Sequence, residues 1–237
     1  MSIDFPVSLR LRGVRVVVIG GGYGTGRRVT DLLDAGALVT LIAADAPEGI
    51  EALIGRDDFI WQRRSYQSGD LAGVSLVVSC PADKTANRDV WQEAQLRGLL
   101  MNAIDDPAHG NFTFPAIHRQ GDVTVAVSTA GKSPCLAVAL RDRIAAEIGP
   151  EYGVFLDLLG DMRAGVVARV ASFARRLPIW RRLIASDALA AVKTGNVLSA
   201  RQILQAELQD ALAGDDAANA TSDQPVCGEI FKQRGNA

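Results

Sequence analysis

The chain has 237 residues, enough for a sizeable core and for one or two domains. Hydrophobic residues make up 48% and charged residues 22%, and the formal net charge is −2, so no general basic surface speaks for nucleic acid. The three cysteines, Cys80, Cys135 and Cys227, form neither a disulfide framework nor a CxxC pair, and two histidines supply few zinc ligands, which together fit a reducing cytoplasm. Residues 1–13 lack the apolar segment of a signal peptide, and no uncharged apolar run is long enough to span a bilayer.

The first elements alternate strand and helix. Arg15–Ile19 is a β-branched run that predicts a buried strand. Tyr23–Ala35 is then a helix, with Val29, Leu32 and Leu33 on one face and Gly36 as its stop. Leu38–Ala43 is a second strand, Pro47–Ile54 a short helix and Phe59–Arg63 a short strand. Val74–Ser79 is another buried run. A helix over Lys84–Arg97 ends at Gly98, and Leu99–Ile104 is the next strand. Repeated units of this length predict an α/β fold with a Rossmann-type doubly wound parallel sheet.

Beyond Asp106 the rhythm changes. Phe112–His118 and Val123–Ser128 read as two strands joined through Gln120-Gly121. Ser133 as N-cap and Pro134 at the first helical position open a helix whose Leu136, Leu140, Ile144 and Ile148 recur every fourth residue. Gly149-Pro150 ends it. The division expected is a dinucleotide-binding domain over 1–110, a small α+β segment over 111–150, a helical domain over 151–213, and an Ala-, Asp- and Gly-rich tail over 214–237 that reads as disordered.

The loop Gly20-Gly21-Gly22-Tyr23-Gly24-Thr25-Gly26 carries most information. Gly20-x-Gly22-x-x-Thr25 is an imperfect GxGxxG at a strand-to-helix turn, where backbone N–H groups can meet a pyrophosphate. A plain turn is the alternative on the loop alone. Asp45, after Ala43-Ala44, stands where an acidic residue binds the adenosine ribose, and no arginine stands immediately beside it, which favours NAD over NADP. Its bland role is to open the Asp45-Ala46-Pro47 turn and cap the short helix after it. Asn102-Ala103-Ile104-Asp105-Asp106-Pro107 lies at the C-terminal end of a predicted parallel strand, the edge where ligands bind. Alone, the two aspartates could simply begin a turn. Gly131-Lys132-Ser133 is not a P-loop, because Ala126 stands where that motif needs glycine. His109 and His118 are isolated near turns and read as structural or solvated.

Taken in order, these pieces resemble one family. Phe5-Pro6-Val7-x-Leu9-x-Leu11-x-Gly13 leads into Gly20-Gly21-Gly22, with Arg27-Arg28 behind. Tyr66, Asp70 and Leu71 precede Leu76-Val77-Val78-Ser79, and Asn87 lies in the next helix. Asn102–Pro107 is followed by Phe114-Pro115-Ala116 and by Val125–Pro134, with Leu136, Ala137 and Arg141 beyond. Over about residues 5–150 this is similar to the precorrin-2 dehydrogenase/sirohydrochlorin ferrochelatase family, including the N-terminal half of siroheme synthase.

The resemblance implies NAD-dependent oxidation of precorrin-2 to sirohydrochlorin by a cytoplasmic homodimer, with later helices wrapping the partner. It also implies ferrous iron insertion in some members. Asp105 matches the catalytic aspartate, and Tyr23, Gly24, Ala44 and Asp45 fall where the family contacts NAD, beside Gly20, Gly22 and Thr25 of the loop. Two departures stand out. Thr25 and Gly26 replace a common alanine and a larger residue, implying a more mobile loop, and Ala130 stands where glycine is common.

An aspartate near its ordinary pKa of about 3.9 is ionised at neutral pH and can take the released proton, and partial burial would strengthen it as a base. Asp106, against Pro107, is expected to shape the turn. A substrate fringed with carboxylates calls for cations and N–H donors. Arg27, Arg28, Arg119, Lys132 and Arg141 are candidates, and Ser128, Thr129, Gly131, Lys132 and Ser133 form a polar turn before a helix N-terminus. Two other readings remain: a sirohydrochlorin ferrochelatase, or a non-catalytic NAD- or tetrapyrrole-binding protein. A fused methyltransferase is not expected, since only the tail comes after the helical region.

Overall fold

The computed structural model describes residues 4–45, 47–80 and 86–221, with side chains to residue 213. Among these, five strands form one parallel sheet: β1 (Arg15–Ile19), β2 (Leu38–Ile42), β3 (Phe59–Gln62), β4 (Leu76–Ser79) and β5 (Leu100–Ala103), in the order β3-β2-β1-β4-β5. That order reverses direction between β1 and β4, which makes the crevice above those two strands the expected ligand site.

Alternation along β1 explains the two layers. Val16 and Val18 pack with Val29, Leu32 and Leu33 of α1 (Thr25–Asp34), while Val17 and Ile19 pack with Val90 and Ala94 of α2 (Ala86–Leu96). Each such buried aliphatic side chain contributes roughly 1.5–3 kcal/mol, so both faces of the sheet must be covered. Gly36 ends α1 as the sequence predicts. Its φ of 81° lets its N–H reach the Leu33 carbonyl at 2.8 Å while the Ala37 N–H reaches the Leu32 carbonyl at 3.1 Å.

A buried carboxylate fixes the loop before β4. Glu93 of α2 accepts from the Tyr66 hydroxyl, from the Gly69 N–H at 2.8 Å, and from Arg97 Nε at 2.7 Å. Burial alone would raise its pKa, but these donors hold the carboxyl below its ordinary value. Arg64 closes the same loop with a two-pronged pair to Asp70, both contacts at 2.7 Å. Replacing Glu93 with alanine is expected to cost the first unit about 3 kcal/mol, or roughly 6–12 °C in Tm, measured by thermal melting. The folded pKa is depressed, so the stabilisation is present above the unfolded value of about 4.3 and is lost as pH falls below it. The gap between wild type and variant therefore narrows in acid.

Several predicted elements differ in extent. Only Glu51–Leu53 of the segment 47–54 is helical, as one 3-10 turn. The start of the predicted helix at Lys84 and Thr85 lies outside the described residues, and α2 begins at Ala86. The strand read over 112–118 begins only at Ala116, because Phe112 and Phe114 turn inward onto the first core instead of alternating in a sheet. β6 (Ala116–Gln120) and β7 (Val123–Val127) then form a two-stranded sheet.

The chain falls into two compact units. The first holds the residues up to Ala116 and Val127–Val138, and the second holds Ile117–Ala126 and the residues from Ala139. The body of the β6–β7 hairpin therefore groups with the helices. Gly153 explains this packing: a Cβ there would stand 2.9 Å from the Gln120 carbonyl oxygen, so only glycine admits the hairpin turn.

The second unit holds α4 (Pro150–Arg169), α5 (Phe173–Ala185), α6 (Ala188–Lys193) and α7 (Val197–Thr221), around a core that includes Phe155, Leu158, Ile179, Leu183, Val192 and Leu204. The tail expected from Gly214 begins as helix, since α7 runs on to Thr221. The remainder of that tail, with Cys227, lies outside the described residues. Among the described residues no helix is long and apolar enough to cross a membrane.

Candidate functional site

Four strand ends of the first unit build the site. The glycine loop leaves β1 and is held on both sides: the Gly20 N–H donates to the Ile42 carbonyl and the Gly22 N–H to the Cys80 carbonyl, each at 2.8 Å. Gly20 has φ 89° and Gly24 φ 81°, conformations that favour glycine. Gly24 is the N-cap of α1, whose first turn carries no acidic residue and no side-chain cap. These features suit an anion drawn to the backbone N–H groups of the first turn.

Thr25 and Gly26 do something other than loosen this loop. The buried Thr25 hydroxyl donates to the Gly22 carbonyl at 2.8 Å and lies 3.3 Å from that of Gly20, so it ties the turn together. A Cβ on Gly26 would stand 2.0 Å from the Glu48 carbonyl oxygen. Gly26 therefore does the close-packing work that the third glycine of such loops usually does.

Ala44 and Asp45 come after β2 and are exposed, with the Asp45 carbonyl oxygen 3.3 Å from where a Gly21 Cβ would sit. The Asp45 backbone thus lies against the glycine loop. Tyr23 is fully exposed. Ala46 of the turn lies outside the described residues.

Asp105 occupies the end of β5 and has φ 56°, a left-handed conformation rare for a non-glycine residue. It is exposed, and the chain goes on from it into the 3-10 turn Pro107–His109. Its neighbour Asp106 shapes that turn, as the sequence suggests. Asp106 Oδ2 accepts from Asn87 Nδ2 at 2.9 Å and lies 2.8 Å from His109 Nδ1. Asn87 in turn accepts from the Ser79 hydroxyl at 2.7 Å, and both Ser79 and Asn87 are fully buried. His109 is structural here.

Cys80 braces the glycine loop. Its carbonyl accepts from the Gly22 N–H at 2.8 Å, and its side chain is buried. Burial pushes the thiol up to about 11, so it is a protonated packing group and no nucleophile.

The polar turn is also in the first unit. Thr129 Oγ1 donates to the Ser133 carbonyl at 3.0 Å and accepts from the Ser133 N–H at 3.3 Å. Ser128 Oγ accepts from the Ala130 N–H at 3.2 Å. Ser133 caps α3 (Pro134–Glu147) through the Leu136 N–H at 3.3 Å. Ala130 and Gly131 have φ 50° and 73°, and Lys132 is exposed. Arg141 belongs to the second unit and its guanidinium is paired with Asp142. Among the described residues no group of three or more His, Cys, Asp or Glu side chains could hold a metal ion.

Sequence reasoning passed over Cys80, Asn102 and the Ser79–Asn87–Asp106 chain as working parts. Asn102 Nδ2 donates to the Phe112 carbonyl at 2.8 Å, while its buried Oδ1 has no partner. A buried Ser–Asn pair leaves no spacing signal of its own, because its two members come from a strand and a helix.

Three family models cover the chain in succession. Residues 7–116 match one described as "Putative NAD(P)-binding", residues 120–147 the sirohaem biosynthesis protein central region, and residues 151–208 the sirohaem synthase dimerisation region. The chain belongs to the siroheme synthase family. The siroheme synthase of Photorhabdus laumondii is 30% identical over 86% of this chain and 43% of its own length. That of Methylococcus capsulatus is 33% identical over 95% of this chain and 46% of its own. The chain thus spans a little under half the length of the siroheme synthases it matches. A solved structure, SirC, precorrin-2 dehydrogenase, has the same fold at TM-score 0.69 and 23% identity, covering 87% of this chain and all of that one. Residues 7–116 are accordingly an NAD(P)-binding domain, and the glycine loop suits a dinucleotide.

Proposed function

We propose that the chain is a cytoplasmic, homodimeric precorrin-2 dehydrogenase that oxidises precorrin-2 to sirohydrochlorin with NAD. The observation that carries this reading is the meeting of two features on one sheet edge. Asp105, in a strained left-handed turn, comes just after β5, and the glycine loop follows β1, with its Gly22 N–H held by the Cys80 carbonyl just after β4. The siroheme synthases to which the chain is related, and the precorrin-2 dehydrogenase that shares its fold, support the choice of substrate.

Held at the glycine loop, NAD would supply the acceptor for the hydride that the substrate loses. The substrate also loses one proton, and Asp105 is the acceptor. The N–H groups of the first turn of α1 hold the pyrophosphate, with Asp45 toward the adenosine ribose. Tyr23, Gly24 and Ala44 line the cofactor on this reading. Ser128, Thr129, Gly131, Lys132 and Ser133 of the first unit are the residues proposed to meet carboxylates of the macrocycle, and Arg141 of the second unit is a separate candidate for the same chemistry. The homodimer is supported by the dimerisation-region match and by α3, where only Ala137 is buried while Leu136, Val138 and Leu140 are exposed.

The test is anaerobic incubation with precorrin-2. With NAD present, the absorption spectrum is expected to change to that of sirohydrochlorin as NADH appears in equal amount. Unchanged precorrin-2 in the presence of protein that binds NAD would reject the reaction. A parallel incubation of sirohydrochlorin with ferrous iron, without NAD, reads metal insertion separately.

A further inference from the structure

Of the arginines near the glycine loop, one is not an ordinary surface cation. Arg27 is 77% exposed at its side chain, whereas Arg28, next in sequence, is 28% exposed and folds back over the sheet edge. Its guanidinium carbon lies 4.3 Å from the centre of the Phe114 ring. Phe114 is held in turn by the edge of Phe112, 5.2 Å between centroids, and the Phe112 carbonyl is fixed by Asn102. The platform under Arg28 is therefore built from the segment just after Asp105.

Stacking on a ring leaves a guanidinium's N–H donors free at its rim, because all five lie in its plane. Here they are poorly used. Among the described residues the anion paired with Arg28 is Asp31, at 3.4 Å, and the half-exposed Asp31 also faces Arg27 at 4.0 Å. Taking a cation from water is costly unless something pairs it. Burial, the largest influence, holds the Arg28 pKa below its ordinary value, with the Arg27 charge acting in the same sense and Asp31 against them. Arg28 stands on α1 directly behind the glycine loop, and its ring platform is tied to β5 through the Phe112 carbonyl and Asn102.

We propose that Arg28 is an oxyanion-binding residue of this site, presenting its N–H rim to a carboxylate of the tetrapyrrole or to the pyrophosphate of the dinucleotide. The proposal rests on the dehydrogenase reading only for the identity of the tetrapyrrole. Phe114 keeps the fork aimed, and the pairing that Asp31 supplies weakly is completed by the ligand.

The test measures binding, not turnover, on the full chain: dissociation constants for NAD, for adenosine diphosphate and for sirohydrochlorin, in wild type, Arg28→Met and Arg28→Lys. Arg28→Met keeps the apolar stem over the ring and loses the charge. It is expected to weaken at least one ligand tenfold or more. Arg28→Lys keeps charge but not the fork and falls between. Weakening of NAD and adenosine diphosphate alone assigns the pyrophosphate, and weakening of sirohydrochlorin alone assigns the carboxylate. If all three constants stay within twofold while only the melting temperature falls, Arg28 is structural and the proposal fails. Should Arg28→Met not fold, Arg28→Lys and Phe114→Leu give the same reading. A wild type that never oxidises precorrin-2, yet whose ligands are weakened by Arg28→Met, rejects the reaction and leaves Arg28 assigned.

Discussion

Replacing Asp105 by asparagine is expected to lower kcat for precorrin-2 oxidation by roughly 10²–10⁴-fold, the range that a positioned general base contributes. Asparagine is the informative choice. The residue has φ 56°, and asparagine tolerates that left-handed conformation as well as aspartate does. The variant therefore removes the negative charge and the proton acceptor without refolding the turn. Its dissociation constant for NAD is expected to stay close to that of the wild type, and so is its melting temperature. Asp105→Ala should lose the same activity and add a strain cost of about 1 kcal/mol. Anaerobic initial rates at saturating NAD make the comparison. An asparagine variant that turned over at the wild-type rate would take Asp105 out of the chemistry.

The turn that carries Asp105 is over-determined by its neighbours. Asp106 cannot swing, because Asn87 and His109 both hold its Oδ2. Asn87 cannot swing, because Ser79 holds its other end inside the protein. The Ile104 N–H is bonded to the Ser79 carbonyl at 2.9 Å, so backbone and side chain of one strand end both brace the reacting loop. Strain of this kind persists only where the surroundings impose it. An exposed carboxylate can thus be placed accurately without being buried.

Much of the first unit was legible from periodicity. β1, β2 and β4 are mostly apolar runs because both faces of a parallel sheet are covered, and such runs are conspicuous in sequence. Gly36 and Gly98 mark helix ends as expected, with φ 81° and 65°. Phe112 and Phe114 misled because two aromatics spaced by one residue look like a strand face. Here both turn onto one core from an irregular segment, and one of them carries Arg28. Of the five cations named, stacking on Phe114 singles out Arg28, and that contact has no sequence signature. The helices after Pro150 were legible as helix but not as four separate ones, since Ala- and Leu-rich stretches mask the short turns between them.

Gly26 is the residue of the loop whose substitution should cost most. The Cβ of Gly26→Ala would arrive 2.0 Å from the Glu48 carbonyl oxygen, well inside contact distance and against backbone rather than a flexible side-chain tip. Either α1 must lift from the loop after β2 or that loop must move. Lifting α1 breaks the Thr25 bonds to Gly20 and Gly22 and draws Val29, Leu32 and Leu33 from the core. Overpacking of a tight contact costs typically about 1–3 kcal/mol, and loss of the hydroxyl ties adds roughly another 1 kcal/mol. The expected fall in Tm is therefore about 5–15 °C for a chain of this size. Because Glu48 lies just past Asp45, moving its backbone also moves the ribose-side acid, and the dissociation constant for NAD should rise together with the loss of stability. By contrast, Gly24→Asn meets open space and a φ of 81° that asparagine tolerates, so it should cost under about 1 kcal/mol. Thermal melting and NAD titration of the two variants side by side separate close packing from loop mobility. If Gly26→Ala melted and bound NAD like the wild type, the glycine would be there for flexibility after all.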